Sequence, residues 1–256
     1  MSEPVLAKGD RRKDATIAFS LFVGFTGLYF LLAWLVSGPG NWWQIDNVDG
    51  QNVFFGDDAY RFFLTRSTWL NPELYTYNFV LPGQLWLDGV LTWLVNGNIF
   101  YGRLGHGIIG AGSVSLAYLT GRQLNIQPLL ALFAALMLGL LPRFALMSLS
   151  FYGEMWLGFF LLVCLYLFLR KSLLALAFIG AWLPLIRPEG IFFLVPVGIY
   201  FAWHKRFWHL LWLVLPGFAF FVFLNLSFEH LLDYHYWRIE LRRILAKLES
   251  PHTEWS

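Results

Sequence analysis

The stretch ATIAFSLFVGFTGLYFLLAWLV, residues 15–36, decides the fold class of this chain. It runs 22 residues without a charge. An α-helix rises about 1.5 Å per residue, so roughly 20 apolar residues cross the hydrocarbon core of a bilayer. The stretch therefore predicts a transmembrane helix. It is longer than a typical signal-peptide core, and no small-residue cleavage site follows it, so it reads as an uncleaved anchor. The leader before it, residues 1–14, carries Lys8, Arg11, Arg12 and Lys13. Basic flanks favour the cytoplasmic side, which puts the N-terminus inside and the end of the helix, at Ser37-Gly-Pro-Gly40, outside.

Composition extends this reading to the whole chain. Of 256 residues, 58% are hydrophobic and only 13% charged, where a soluble domain has about 25% charged residues. The mean hydropathy is +0.57. By length the chain would suit one or two soluble domains. The apolar surplus instead predicts an all-α, polytopic membrane protein. Aromatics reach 20%, and Trp and Tyr favour membrane interfaces. A net charge of +2 is too small to argue for a nucleic-acid partner. The basic residues stand in short clusters beside apolar runs, which is a topology signal rather than a binding patch. The single Cys164 excludes an internal disulfide and reads as a small buried hydrophobe. The histidines offer no metal-ligand spacing: His204 and His209, like His230 and His235, are five apart and off one helical face. No phosphate-cradling glycine loop or nucleophile elbow occurs. Asn225-Leu-Ser227 fits an N-glycosylation pattern but lies too close to a span end to carry weight.

The basic clusters order the remaining segments. Residues 37–104 form a large first outer loop that holds Asp46, Asp49, Asp57, Asp58, Glu73 and Asp88. Within it, residues 59–69 predict a short interfacial helix with Arg61 and Arg66 on its polar side. Residues 82–95 are apolar but short and carry Asp88, so they read as interfacial. Residues 104–120 run inward to Arg122, 128–147 outward, and 151–169 inward to Arg170-Lys171. Residues 172–203 have basic ends on both sides, which predicts two short crossings turning at Arg187-Pro188-Glu189. Residues 207–226 run outward again. The sum is about seven transmembrane helices, a module over 15–227 with juxtamembrane helices in its first outer loop. A C-terminal tail, 228–256, lies outside, although its Arg238, Arg242, Arg243 and Lys247 would prefer the inside.

The chemistry is expected on the outer face. The sequence FGDDAYRFFLTR, residues 55–66, pairs Asp57 with Asp58 just beyond the first span. Two adjacent acids repel unless they bind a cation, accept a proton or orient a substrate. They also suit a helix N-terminus, and capping is compatible with catalysis. Glu154, in Ser-Phe-Tyr-Gly-Glu-Met, and Arg187-Pro-Glu189-Gly fall at later outer boundaries. A carboxylate there serves as a general base for a hydroxyl, several together hold a divalent cation, and an arginine beside them holds a phosphate. The plain alternatives are that Glu154 is a boundary anchor, that Arg187 and Glu189 pair only with each other, and that Arg103 and His106 are interfacial anchors at a span start.

In order and spacing these motifs resemble the GT-C superfamily of integral-membrane glycosyltransferases, over about residues 15–203. Asp57-Asp58-Ala-Tyr60 follows the first span. Asn78-Phe-Val-Leu-Pro82 with Leu85-Trp86 is similar to the family's proline-aromatic segment. Arg103 opens the span that ends at Tyr118-Leu-Thr-Gly-Arg122, and Tyr152-Gly-Glu154 and Arg187-Pro-Glu-Gly190 come later. The Asp-Asp-Ala-Tyr form is similar to bacterial arabinosyl- and mannosyltransferase-like members. The resemblance implies transfer of a sugar from a polyprenyl-phosphate donor to a lipid or glycan acceptor hydroxyl, with inversion, outside the bacterial inner membrane. It implies Asp57, or its neighbour Asp58, as catalytic base, and Arg187 as the partner of the leaving phosphate. Glu154 would orient the acceptor or share a divalent ion, Mg or Mn, with the acid pair. Glu189, Arg61, Arg103 and His106 complete the expected substrate-binding set. The chain stops near the family's shared module, which leaves three expectations open beside contact with membrane lipids: a compact enzyme, a subunit needing a partner subunit, or a degenerate relative. The alternative from another class is a non-catalytic carrier, flippase or assembly subunit for lipid-linked sugars.

Overall fold

The apolar stretch that opens the chain is the core of a long helix, α1 (Lys8–Ser37), which also takes in the basic leader. The computed structural model describes residues 8–37, 46–48, 51–53, 61–62, 64–65, 82–94 and 99–227. A short hairpin follows α1, with β1 (Asp46–Val48) antiparallel to β2 (Gln51–Val53) and Asn47 opposite Asn52. Among the described residues everything else regular is helical, so these residues are all-α apart from this ribbon. In order come α2 (Pro82–Leu94), α3 (Ile99–Gln123), α4 (Pro128–Leu140), α5 (Pro142–Met147), α6 (Gly153–Leu169), α7 (Leu173–Gly180) and α8 (Leu183–Ile186). A 3₁₀ turn (Pro188–Gly190), α9 (Ile191–Trp203) and α10 (Phe207–Ser227) complete it.

Proline and left-handed residues set the helix ends. Pro128 and Pro142 open their helices at the first turn, where a missing N–H costs nothing. A residue before proline avoids the helical region, and Leu141 is extended at φ −59°, ψ 122°. Residues 128–147, expected as one segment, therefore break into α4 and α5. Asn125, Lys171 and Lys205 have φ of 60°, 56° and 54° and end α3, α6 and α9. Each is followed by an N–H that bonds five residues back: Ile126 to Gly121, Ser172 to Leu167 and Arg206 to Phe201, at 3.1, 2.9 and 2.8 Å. These are three Schellman caps, which satisfy the orphan carbonyls of a helix end.

Helix α3 lies at the centre and packs against α1, α2, α4 and α6. One apolar cluster joins α1, α3 and α4 through Phe25, Tyr29, Val114, Tyr118 and Ala135. There the Tyr29 hydroxyl donates to the Gly139 carbonyl at 3.0 Å. A second joins α6, α7, α9 and α10 through Cys164, Leu176, Phe201 and Leu213. The outward helix faces are apolar too, with Phe19, Phe133, Phe192 and Trp208 exposed and Trp203 83% exposed. Among the described residues, Arg11–Leu35 is the one helix long and apolar enough to cross a membrane. The stretches Pro128–Leu140, Gly153–Leu169, Leu173–Ile186, Pro188–Trp203 and Phe207–Ala219 are apolar but shorter.

The ends of this bundle differ in charge. Arg11, Arg122 and Arg170 gather at one end, around a single cavity. Phe168 meets Tyr200 there, ring centres 5.3 Å apart, so the end of α9 joins the end of α6. The chain thus rises through α7 and α8, reverses at Pro188–Gly190, and returns through α9. The start of α6 and that reversal meet at the other end.

Candidate functional site

The site is built around α2, which the sequence places at the interface and the structure places against α3 and α8. Gly83 allows this. A Cβ there would meet the backbone carbon and oxygen of Leu185 at 2.6 Å. Gln84 and Asp88 follow on one helical face, four residues apart. Asp88, expected near the outer surface, is fully buried, as are Arg103 and His106 of α3. The two α3 residues are therefore interior groups rather than interfacial anchors. Their helix face is covered by α2 and by the segment leading into α6.

A buried carboxylate needs donors to offset the loss of water. Asp88 Oδ1 accepts from Trp156 Nε1 at 2.5 Å, and Oδ2 accepts from Gln84 Nε2 at 3.2 Å. His106 Nε2 lies 2.8 Å from Oδ1 but off the hydrogen-bond direction. Its Nδ1 has no hydrogen-bond partner among the described residues. Phe151 and Trp156 present ring edges to the imidazole, with centres 4.9 and 5.9 Å away. Gln84 ties this group outward: Nε2 also donates to the Phe151 carbonyl at 2.9 Å, and Oε1 accepts from Arg61 Nη1 at 3.1 Å. Arg61 is buried rather than on a polar outer face, with its guanidinium 5.2 Å from the centre of the Tyr152 ring.

An ion-pair cluster lies beside this network. Glu154 stands in the first turn of α6, where a helix N-terminus favours a carboxylate. Arg187 ends α8 in an extended conformation, φ −150° and ψ 143°, set by the following Pro188. Its Nε and Nη2 donate to the two oxygens of Glu189 at 3.1 and 3.0 Å, a bidentate pair. Its Nη1 pairs with Glu154 Oε1. So Arg187 and Glu189 do pair with each other, but not only with each other. Hydrogen bonding to Glu189 raises the Arg187 pKa above its ordinary value. Partial burial opposes this, and the charges of Glu154 and Glu189 add to it. The guanidinium is therefore charged at any working pH. Among the described residues, Arg187 thus bridges two half-exposed carboxylates.

Gly153 is the hinge between the two groups. A Cβ there would collide with the Gln84 side-chain oxygen and lie 3.5 Å from Arg187 Cγ. Glu154, Arg187 and Glu189 are thus brought together directly. Arg61 joins them through Gln84, and His106 through Asp88. Arg103 lies one turn before His106 in the same interior. Asp57 and Asp58, the expected catalytic pair, lie outside the described residues, as does Arg66. Among the described residues no group of three or more metal-ligating side chains forms, and the expected ion set of Asp57, Asp58 and Glu154 falls mostly outside them.

Sequence reasoning missed Gln84 and Trp156 as site residues and gave Asp88 no role. A signal existed. Gln84 and Asp88 are polar at helical spacing in an otherwise apolar segment, which a surface helix facing lipid would not carry. Chemically, the half-exposed carboxylates can accept from sugar hydroxyls or hold a hard cation, while the arginine fork fits a phosphate. No protein-family model, curated protein or solved structure matches this chain.

Proposed function

We propose that the chain is a polytopic membrane glycosyltransferase of the GT-C type. It crosses the bilayer about seven times with its N-terminus in the cytoplasm of a bacterial inner membrane. It moves a sugar from a polyprenyl-phosphate donor to an acceptor hydroxyl on the outer face, with inversion. Asp57 or Asp58 takes the hydroxyl proton as the oxygen attacks the anomeric carbon. The bond from that carbon to the phosphate oxygen breaks, and Arg187 steadies the phosphate that leaves.

The observation that carries this reading is the convergence of Glu154, Arg187 and Glu189 with the Arg61–Gln84 pair across Gly153. The sequence leads us to expect Glu154, Arg187 and Glu189 on one face, without Gln84. The apolar outer faces of α4, α9 and α10 support burial in lipid, since a water-soluble monomer rarely exposes large contiguous apolar patches. The segregation of Arg11, Arg122 and Arg170 to the opposite end supports that end as cytoplasmic.

The carboxylates beside Arg187 constrain the chemistry. A phosphate arriving beside two carboxylates needs more positive charge than Arg187 alone supplies. Exchange of Glu154 or Glu189 away from Arg187 provides part of it, since both are half-exposed. A divalent cation, Mg or Mn, would provide the rest, and Glu154 Oε2 with the acid pair is a suitable hard-oxygen set for it.

A second reading draws on the buried Asp88–His106 contact. Interior ionisable residues of a membrane bundle often mark a transport path. A carrier for lipid-linked sugars would move substrate without forming a product. Full-length protein in liposomes, supplied with polyprenyl-phosphate-linked hexoses and pentoses and a polyol acceptor, separates the two. Sugar transfer is expected, with Arg187→Ala raising the donor KM. Flipping of the donor with no transfer to any acceptor would put the carrier in the enzyme's place.

A further inference from the structure

The basic end of the bundle holds a cavity of about 390 Å³ that sugar transfer leaves without a role. It opens between the start of α1, the end of α3 and the end of α6. Arg11, Arg122 and Arg170 surround it, with Asp14 between them. Asp14 is already committed, accepting from Arg122 Nε at 2.9 Å and from the Tyr118 hydroxyl at 2.8 Å. Arg122 also donates Nη1 to the Ile126 carbonyl at 2.5 Å, so it is a fixed part of the wall. Arg11 and Arg170 are exposed at the rim, and the Arg170 guanidinium stands 6.0 Å from the centre of the Tyr166 ring. Among the described side chains that line it, three guanidiniums stand against one carboxylate. The rest of the lining is mostly apolar, with Ala15, Ala18 and Leu119 beside Gln123 and Tyr166.

A cationic mouth over an apolar wall between helices suits an amphiphile whose head is anionic. We propose that this cavity seats the phosphate of an anionic phospholipid headgroup from the leaflet at the basic end. Arg11 and Arg170 close on the phosphate, and the glycerol and first acyl carbons lie along Ala15, Ala18 and Leu119. A soluble phosphate ester would offer the same anionic group, but it would leave the apolar wall unused. The site depends on membrane placement and not on catalysis at the other end, so it stands or falls apart from sugar transfer.

The test uses the full-length chain in neutral detergent, stripped of co-purified lipid. Uptake of short-chain phosphatidylglycerol and short-chain phosphatidylcholine is counted by native mass spectrometry, and inorganic phosphate is added as a competitor. Phosphatidylglycerol should bind in preference to phosphatidylcholine and be displaced by phosphate. The double variant Arg11→Gln, Arg170→Gln changes only exposed side chains and should fold. It should weaken phosphatidylglycerol binding roughly 30-fold, the product of two surface charges. Arg143→Gln, an exposed arginine outside the cavity, should leave binding unchanged. Thermal protection by inorganic phosphate with no lipid uptake would assign the same anion site to a soluble phosphate ester. Equal uptake of the two lipids, or binding indifferent to the double variant, overturns the proposal.

Discussion

Asp88 holds three partners from three parts of the chain, and its substitutions separate charge from hydrogen bonding. Asp88→Asn keeps an acceptor for Trp156 Nε1 but turns an amide N–H₂ toward the Gln84 N–H₂. Gln84 cannot flip to relieve this without losing both its bond to the Phe151 carbonyl and its bond from Arg61. A buried donor left unsatisfied costs about 1–3 kcal/mol. Asp88→Asn should destabilise by about that much, and Asp88→Ala, which strands the Trp156 and Gln84 donors together, by roughly twice as much. Unfolding midpoints in detergent check both, and an Asp88→Ala no less stable than Asp88→Asn would contradict the network. Gly153→Ala places a methyl against the Gln84 oxygen. Overpacking of this kind costs about 1–3 kcal/mol, and the methyl should push Gln84 off Arg61 and the Phe151 carbonyl while leaving the Glu154–Arg187 pair in place. Little of this was legible in the sequence. Arg103 and His106 at the start of an apolar helix read equally well as surface anchors. What buries them is Asp88, Trp156 and Phe151, brought together only by tertiary packing. The pairing of Glu154 with Arg187 was anticipated as a shared boundary, since both fall at ends of apolar runs.

At the scale of elements the sequence was more informative, because apolar runs, prolines and basic pairs are local signals. The reversal at Pro188–Gly190 was expected from basic residues at both ends of 172–203, and α7, α8 and α9 follow it. The break at Leu141 was missed, although Pro142 biases the residue before it away from the helix. The Schellman caps were missed as well, because two of the three left-handed positions are lysines rather than glycines. An L-residue in that region costs roughly 1–2 kcal/mol, which glycine avoids. Lys205→Gly should therefore raise the unfolding midpoint by an amount equivalent to about 0.5–1 kcal/mol, after the unfolded chain's gain in entropy is subtracted. Lys205→Val should lower it. A fall with glycine would mean that the lysine side chain, not the backbone, fixes that turn. Asp57 and Asp58 were prominent in the sequence from the first, and they lie outside the described residues.

At the scale of the molecule, the described helices form a bundle with a basic end, an opposite end where Glu154, Arg187 and Glu189 meet, and apolar outward faces. Cysteine labelling of intact cells tests the orientation. Cys164 is buried and should stay silent. Cysteines at Ser172 and Gln127, both exposed near the basic turns, should react only after permeabilisation. One at exposed Glu189 should react from outside. Labelling of Ser172 and Glu189 positions from the same side would contradict the crossing between them. The most direct test of the central claim is sugar transfer by the purified full-length chain from a polyprenyl-phosphate-linked sugar, compared with its Asp57→Asn, Asp58→Asn double variant. A general base contributes about 10²- to 10⁴-fold in rate. The double variant should lose about that much turnover while still binding donor, and a double variant that transfers sugar as fast as the unmodified chain would contradict catalysis by the acid pair.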